Sequence, residues 1–207
     1  MLCQKPFEKL CNQDELMFQI VHQVEELWMK LINYTLFDIN EYIKLNNTNR
    51  ITTLFKRVHK TQQLMIEQLS VLETMSPKEY QKIRIGLGKG SGMESPGFRT
   101  IFKIANLLWE SFLLHYLNND LNNIEKIYDS EYSHNDSYLV AELLVEFDEL
   151  FQIFLYKHMK LVERSIGIKS RSLKGVSIEI LNKGIQRQFF PHLWQIRSDM
   201  ANAATQQ

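Results

Sequence analysis

Cysteine, proline and glycine are all scarce in this chain of 207 residues, with two, four and eight of each. Both cysteines, Cys3 and Cys11, fall within the first dozen positions. They have neither CxxC spacing nor a histidine partner, so nothing supports a zinc site or a redox dithiol, and a reducing, cytoplasmic setting fits best. The prolines stand at 6, 77, 96 and 191, and the last three sit beside segment boundaries, leaving long stretches free to be helical. Net charge is also lacking. Lys plus Arg and Asp plus Glu both number 24, so no overall field draws the protein to nucleic acid or to an anionic membrane, and a charged ligand has to be met locally. No segment approaches the ~18 uninterrupted apolar residues of a membrane span. The first ten residues carry Lys5, Glu8 and Lys9 instead of the apolar centre of a signal peptide. With 44% hydrophobic and 11% aromatic residues, the expectation is a single domain over 1–207 with a sizeable core.

What is present is helical periodicity. Asn12 followed by Glu15 resembles a capping box and opens a first helix that runs to about Leu45, where Asn46–Asn49 supplies a polar break. A second helix shows Ile51, Leu54, Phe55, Val58, Met65, Leu69 and Leu72 on one face and should pack antiparallel on the first. Ser76, Pro77 and Glu79 combine an N-cap, a first-turn proline and a capping acid at the start of a short third helix. Four glycines, 86, 88, 90 and 92, then end that helix in an open loop. A fourth helix begins near Pro96 and carries Phe98, Ile101, Phe102, Ala105, Leu108, Trp109, Phe112 and Leu113. Residues 118–136 read as a polar connector with room for one short helix. A long helix from about Ser137 follows, broken at Gly167 and the 169–175 segment, and a last one covers roughly Val176–Arg187 before FFPHLW. No strand alternation or repeat competes, so the fold class is all-α.

Two histidines stand out. On the first helix, Met17, Ile20, Val21, Val24, Leu27, Trp28 and Leu31 form the stripe expected to face the core, whereas Phe18, His22, Glu25 and Met29 fall on a separate strip. A helix with a second, partly aromatic strip lines something, although for His22 spacing alone favours a solvent-facing or subunit-contact histidine. His158 lies on the core stripe of the long helix near Phe147, Phe151, Phe154, Tyr156 and, farther on, Phe190. A histidine in that setting is more often a packed core residue; the alternative is an axial haem ligand, which needs a neutral imidazole in an apolar wall. Tyr80 and Arg84 share a face just before the glycine loop, where a guanidinium fork and a phenol suit a carboxylate. GLGKGSG fails as a phosphate cradle, because Lys89 is followed by glycine and no strand precedes it. Neither HExxH nor GxSxG occurs, so zinc and serine hydrolysis have no support.

Taken together, FQIVHQVEELWMK, EQLSVLETMSPKEYQKIR, LGKGSGMESPGFR, YKHMKLVERSIGIK and FFPHLWQIR resemble, in order and over most of the chain, the tryptophan 2,3-dioxygenase family. The resemblance implies a helical bundle with haem b held between long helices and His158 as the proximal ligand. It implies that His22 is the distal residue that hydrogen-bonds the indole N–H, with Phe18 against the substrate ring. Arg84, helped by Tyr80, would take the substrate carboxylate, and Ser91 with Gly92 would lie over the haem near bound dioxygen. The implied reaction adds O2 across the indole C2–C3 bond of L-tryptophan, or of a similar indole, to give N-formylkynurenine.

The chain departs from the family in three places. Only 21 residues precede His22, where the family has a longer arm reaching into a neighbouring subunit, and the segment before the His158 helix is reduced. The Gly/Thr/Ser-rich closing loop is replaced by Lys169-Ser170-Arg171-Ser172-Leu173-Lys174-Gly175, shorter and more basic, with Ser172 in place of the family threonine. A changed closing loop allows a changed substrate. A mono-oxygenase acting on another aromatic amino acid or indole, and a non-catalytic haem-binding protein, are the competing readings. The partners expected are an aromatic substrate, O2 and further copies of the chain, a tetramer by family analogy or a dimer, with no nucleic acid and no membrane.

Overall fold

The computed structural model describes residues 5–87, 95–129, 133–168, 175 and 187–205. All regular structure among them is helical: a 3-10 turn at Phe7–Lys9, then α1 (Asp14–Lys44), α2 (Thr48–Leu72), α3 (Pro77–Gly86), α4 (Pro96–Leu117), α5 (Asn123–Tyr128), α6 (Asp136–Ile166) and α7 (Pro191–Ala204). The chain is all-α, as the periodicity implies.

Local chemistry sets the boundaries. At the start of α1, Asn12 Oδ1 accepts the Glu15 amide at 2.9 Å, and the Glu15 carboxylate reaches back to the Cys11 amide at 2.7 Å. The α1–α2 break is a tight turn through Asn46, whose φ of 51° is one that asparagine tolerates. Ser76 Oγ accepts the Glu79 amide at 3.3 Å above Pro77, capping α3 as expected. The connector holds one short helix, α5, with Ile124 and Ile127 buried. The expected helix at Val176–Arg187 and the closing loop lie outside the described residues, apart from Gly175 and Arg187. α7, with Pro191 in its first turn, is an element that the periodicity did not reveal.

Contacts cluster into two compact units, 1–31 with 61–99 and 151–187, and 32–60 with 100–150 and 188–207. In the first, Met17 Sδ meets Thr74 Oγ1 at 3.8 Å and Glu25 approaches Gln68, so α1 and α2 run antiparallel there. The start of α4 presses onto α1: Glu26 Oε2 accepts the Gly97 amide at 3.2 Å, and Phe98 packs on Phe151 with ring centres 5.6 Å apart. Gln81 of α3 donates to the Ser165 carbonyl near the end of α6 at 3.2 Å.

The inward face of α1 differs from the expected one. Val21 is buried, but Ile20, Leu27 and Leu31 are 41%, 48% and 39% exposed, while Glu25 and Met29 are buried. Both faces are apolar enough to be chosen. The one holding Val21, Glu25 and Met29 continues without a break into Ile32, Leu36, Ile39 and Ile43, all buried, and that unbroken register is what a long straight helix can pack.

In the second unit, all four of Ile51, Leu54, Phe55 and Val58 are buried as predicted. Asp148, fully buried on α6, gathers the Phe189 amide (2.9 Å), the Phe190 amide (3.1 Å) and Trp194 Nε1 (2.9 Å) on a single oxygen, Oδ2. That carboxylate anchors the entry to α7 and sets Phe190 between Trp109 and Phe147. Phe190 belongs to this aromatic cluster.

Candidate functional site

The first unit holds five of the residues singled out by sequence, Phe18, His22, Tyr80, Arg84 and His158. Phe18 and His22 stack one turn apart with ring centres 4.0 Å apart, and Tyr80 of α3 comes within 6.1 Å of Phe18. His22 Nδ1 lies 2.7 Å from the Phe18 carbonyl oxygen. A carbonyl only accepts, so Nδ1 carries the proton and Nε2 is left as an acceptor. His22 is exposed, while desolvation holds its pKa below the usual histidine value.

His158 of α6 has the same character more strongly. It is partly accessible, and desolvation, followed by the nearby His22, pushes its pKa down to about 4. Both imidazoles have their pKa lowered, each chiefly by desolvation, which favours the neutral form. The wall around His158 is apolar: Phe154 stacks on it at 6.3 Å, with Phe151 and Met159 buried beside it, whereas Tyr156 is 52% exposed and turns away. A neutral imidazole in an apolar wall is the donor that haem iron takes, so the residues present fit that group.

On α3, Tyr80 and Arg84 lie one turn apart. Burial raises the Tyr80 pKa while the Arg84 charge opposes it, so the phenol stays protonated beside a guanidinium. Arg84 Nη1 donates to Gln81 Oε1 at 3.3 Å, which ties its fork to its own helix. A protonated phenol and an oriented guanidinium form a carboxylate-binding pair. Ser91, Gly92 and Ser172 lie outside the described residues. Sequence reasoning missed the part played by Met29 and Gly97, where the α4 terminus meets the α1 strip, and the burial of Glu25 on that strip.

Comparison with known proteins follows from this geometry. Residues 4–112, more than half the chain, match the family model for tryptophan 2,3-dioxygenase. The chain belongs to the tryptophan 2,3-dioxygenase family. Relatives that carry the family's name include those of Myxococcus xanthus, 29% identical across 91% of this chain and 82% of the relative, and of Serratia proteamaculans, 28% identical across 96% and 88%. The protein of Bacillus cereus is 27% identical across 91% and 85%. These matches cover more of the chain than the family model does.

Proposed function

We propose that the protein is a haem-dependent dioxygenase that adds both atoms of O2 across the indole C2–C3 bond of L-tryptophan, or of a tryptophan-like indole, to give N-formylkynurenine. The observation that carries this reading is the stack of Phe18 on His22 beside Tyr80, with His22 Nδ1 2.7 Å from the Phe18 carbonyl oxygen, in the unit that also holds His158 against Phe154. Family membership supports the reaction and the cofactor. His158 would hold the haem iron through its neutral imidazole. Bound there, haem supplies the iron that activates dioxygen.

The chain's own residues bind and orient. His22, with its proton held on Nδ1 by the Phe18 carbonyl, offers Nε2 to the indole N–H. Phe18 and Tyr80 give the substrate ring an aromatic wall, and Arg84 with the Tyr80 hydroxyl neutralises the carboxylate. By family resemblance Ser91 and Gly92 cover the cofactor, and Ser172 meets the substrate from the closing loop. A cytoplasmic homo-oligomer, tetrameric or dimeric, completes this reading; no described helix is long and apolar enough to cross a membrane.

The test is an anaerobic absorption spectrum of the reduced, haem-supplied protein before and after L-tryptophan, then air and mass analysis of the product. A spectral shift and a product heavier by two oxygens support the reading. A product heavier by one oxygen, with the ring intact, replaces it with the mono-oxygenase. Haem that ignores every aromatic amino acid leaves only a haem-binding protein.

A further inference from the structure

Gly97 stands in the first turn of α4, where glycine is a poorer helix former than alanine. The position has another use. Its amide donates to Glu26 Oε2 of α1 at 3.2 Å, and a Cβ there would lie 2.7 Å from Met29 Cβ and 3.0 Å from that same Oε2. Only a residue without a side chain lets the α4 backbone come this close to α1. Ser95 adds to the grip: its Oγ accepts the Phe98 amide at 3.0 Å and lies 3.8 Å from Met29 Sδ. Pro96 has no N–H, and the Arg99 amide bonds the Ser95 carbonyl at 3.2 Å. Each donor of this turn is thus served, one of them by a carboxylate from another helix.

The same turn also meets α6. Phe98 packs on Phe151 with ring centres 5.6 Å apart, Phe151 meets Phe154 at 6.3 Å, and Phe154 stacks on His158 at 6.3 Å. Positions 151, 154 and 158 share one face of α6. Glu26, for its part, stands one helical turn after His22 on α1. The start of α4 therefore touches, within one unit, both the helix that carries His22 and the aromatic row that leads to His158.

We propose that the first turn of α4 is a spacer that sets the separation of α1 from α6, and that Glu26 is the positioning residue that holds it in place. A close-packed turn yields little, so it passes position from one helix to the next. The carboxylate suits the task, because it meets the positive end of α4, where an anion holds an N–H more strongly than a neutral acceptor does. Without that bond the glycine is free to withdraw from α1 and Phe98 from Phe151, and the two histidine-bearing helices lose their common reference. In the dioxygenase reading His158 holds the haem iron and His22 the indole N–H, so the spacer fixes the room left for haem and substrate. The spacer stands on the distances above; its consequence for substrate rests on that reading.

Glu26→Ala removes the acceptor, whereas Glu26→Gln keeps one. In the haem-free full chain, with Cys3 and Cys11 replaced by serine, spin labels at Lys30→Cys of α1 and Tyr156→Cys of α6 read the helix separation from two exposed positions of the same unit. The distance distribution should shift and broaden in Glu26→Ala and return close to that of the parent in Glu26→Gln. In the haem-loaded protein, the L-tryptophan concentration that half-saturates the shift of the haem spectrum should rise several-fold in Glu26→Ala and stay within about twofold of the parent in Glu26→Gln. An unchanged distribution in Glu26→Ala overturns the spacer. A glutamine variant that shifts as far as the alanine one overturns the hydrogen bond as what holds it. A shifted distance with unchanged half-saturation overturns the positioning role. A parent protein whose haem ignores L-tryptophan overturns the dioxygenase reading and leaves the distance measurement to decide the spacer.

Discussion

At the scale of single residues, one backbone carbonyl determines what His22 can do. With Nδ1–H held by Phe18 O at 2.7 Å, Nε2 is left as an acceptor, and in the proposed reaction the ring would orient substrate more than remove a proton. His22→Ala is therefore expected to lower kcat by roughly tenfold, the worth of one hydrogen bond, measured by product formation; unmeasurable activity with normal haem content would contradict it. His158→Ala should lose haem retention, read from the ratio of haem to protein absorbance, and a variant that purifies with full haem would remove the ligand assignment. Arg84→Lys keeps the charge and loses the fork, so KM for L-tryptophan should rise by about tenfold or more with less change in kcat. An unchanged KM would mean that the carboxylate is held elsewhere.

At the scale of elements, the contact between α4 and α1 depends on a missing side chain. A Cβ at Gly97 would sit 2.7 Å from Met29 Cβ and 3.0 Å from Glu26 Oε2. Met29 Cβ moves only with the α1 backbone, so Gly97→Ala must push the helices apart. The expected cost is about 1–3 kcal/mol by denaturant unfolding, together with weaker substrate binding, because Met29 shares the strip that holds His22. A neutral stability effect would show that the helices separate freely. Asp148 joins elements in the opposite way, with one buried oxygen serving three donors ahead of and within α7. Its replacement by alanine would leave those donors unpaired, a cost of about 3 kcal/mol or more.

At the scale of the whole molecule, buried ionisable groups oppose one another in pH. The folded-state pKa of His158, about 4, lies below its value of 6.5 in the unfolded chain, so the unfolded chain binds more protons between those values. Stability is then lost as pH falls from 6.5 through 4. Glu15, lowered to about 2 by Lys5 and the Cys11 amide, adds a loss as pH falls through 4.5 toward 2. Glu25 has the reverse sign: its folded pKa of about 7 exceeds the usual 4.5, so its contribution is full below 4.5 and lost as pH rises through 7. His59, lowered to about 4 by burial, adds a loss of the same sign as His158, so thermal midpoints of the haem-free chain between pH 3.5 and 9 should rise to a maximum near pH 6.5 and fall through pH 7, where only the Glu25 loss remains. A midpoint that climbs steadily to pH 9 would show that Glu25 is not buried in its neutral form.

The positions of α1, α2, α3, α4 and α6 were legible in sequence alone, because periodicity at three and four residues, the Ser76–Pro77 start and the Asn12–Glu15 pair act within a single turn, whereas α7 was not. The neighbours Phe18 and His22, and Tyr80 and Arg84, were legible for the same reason, each pair lying one turn apart. Tertiary structure alone decided which apolar face of α1 turned inward, exposing Ile20, Leu27 and Leu31 and burying Glu25 and Met29. Periodicity weighs two apolar faces alike, and only packing against other helices distinguishes them. The meeting of Phe18 with Tyr80, of Gln81 with the Ser165 carbonyl, and of Asp148 with the α7 entry joins positions far apart in the chain. Such contacts are chosen by how the helices close together, and no local pattern of residues encodes them.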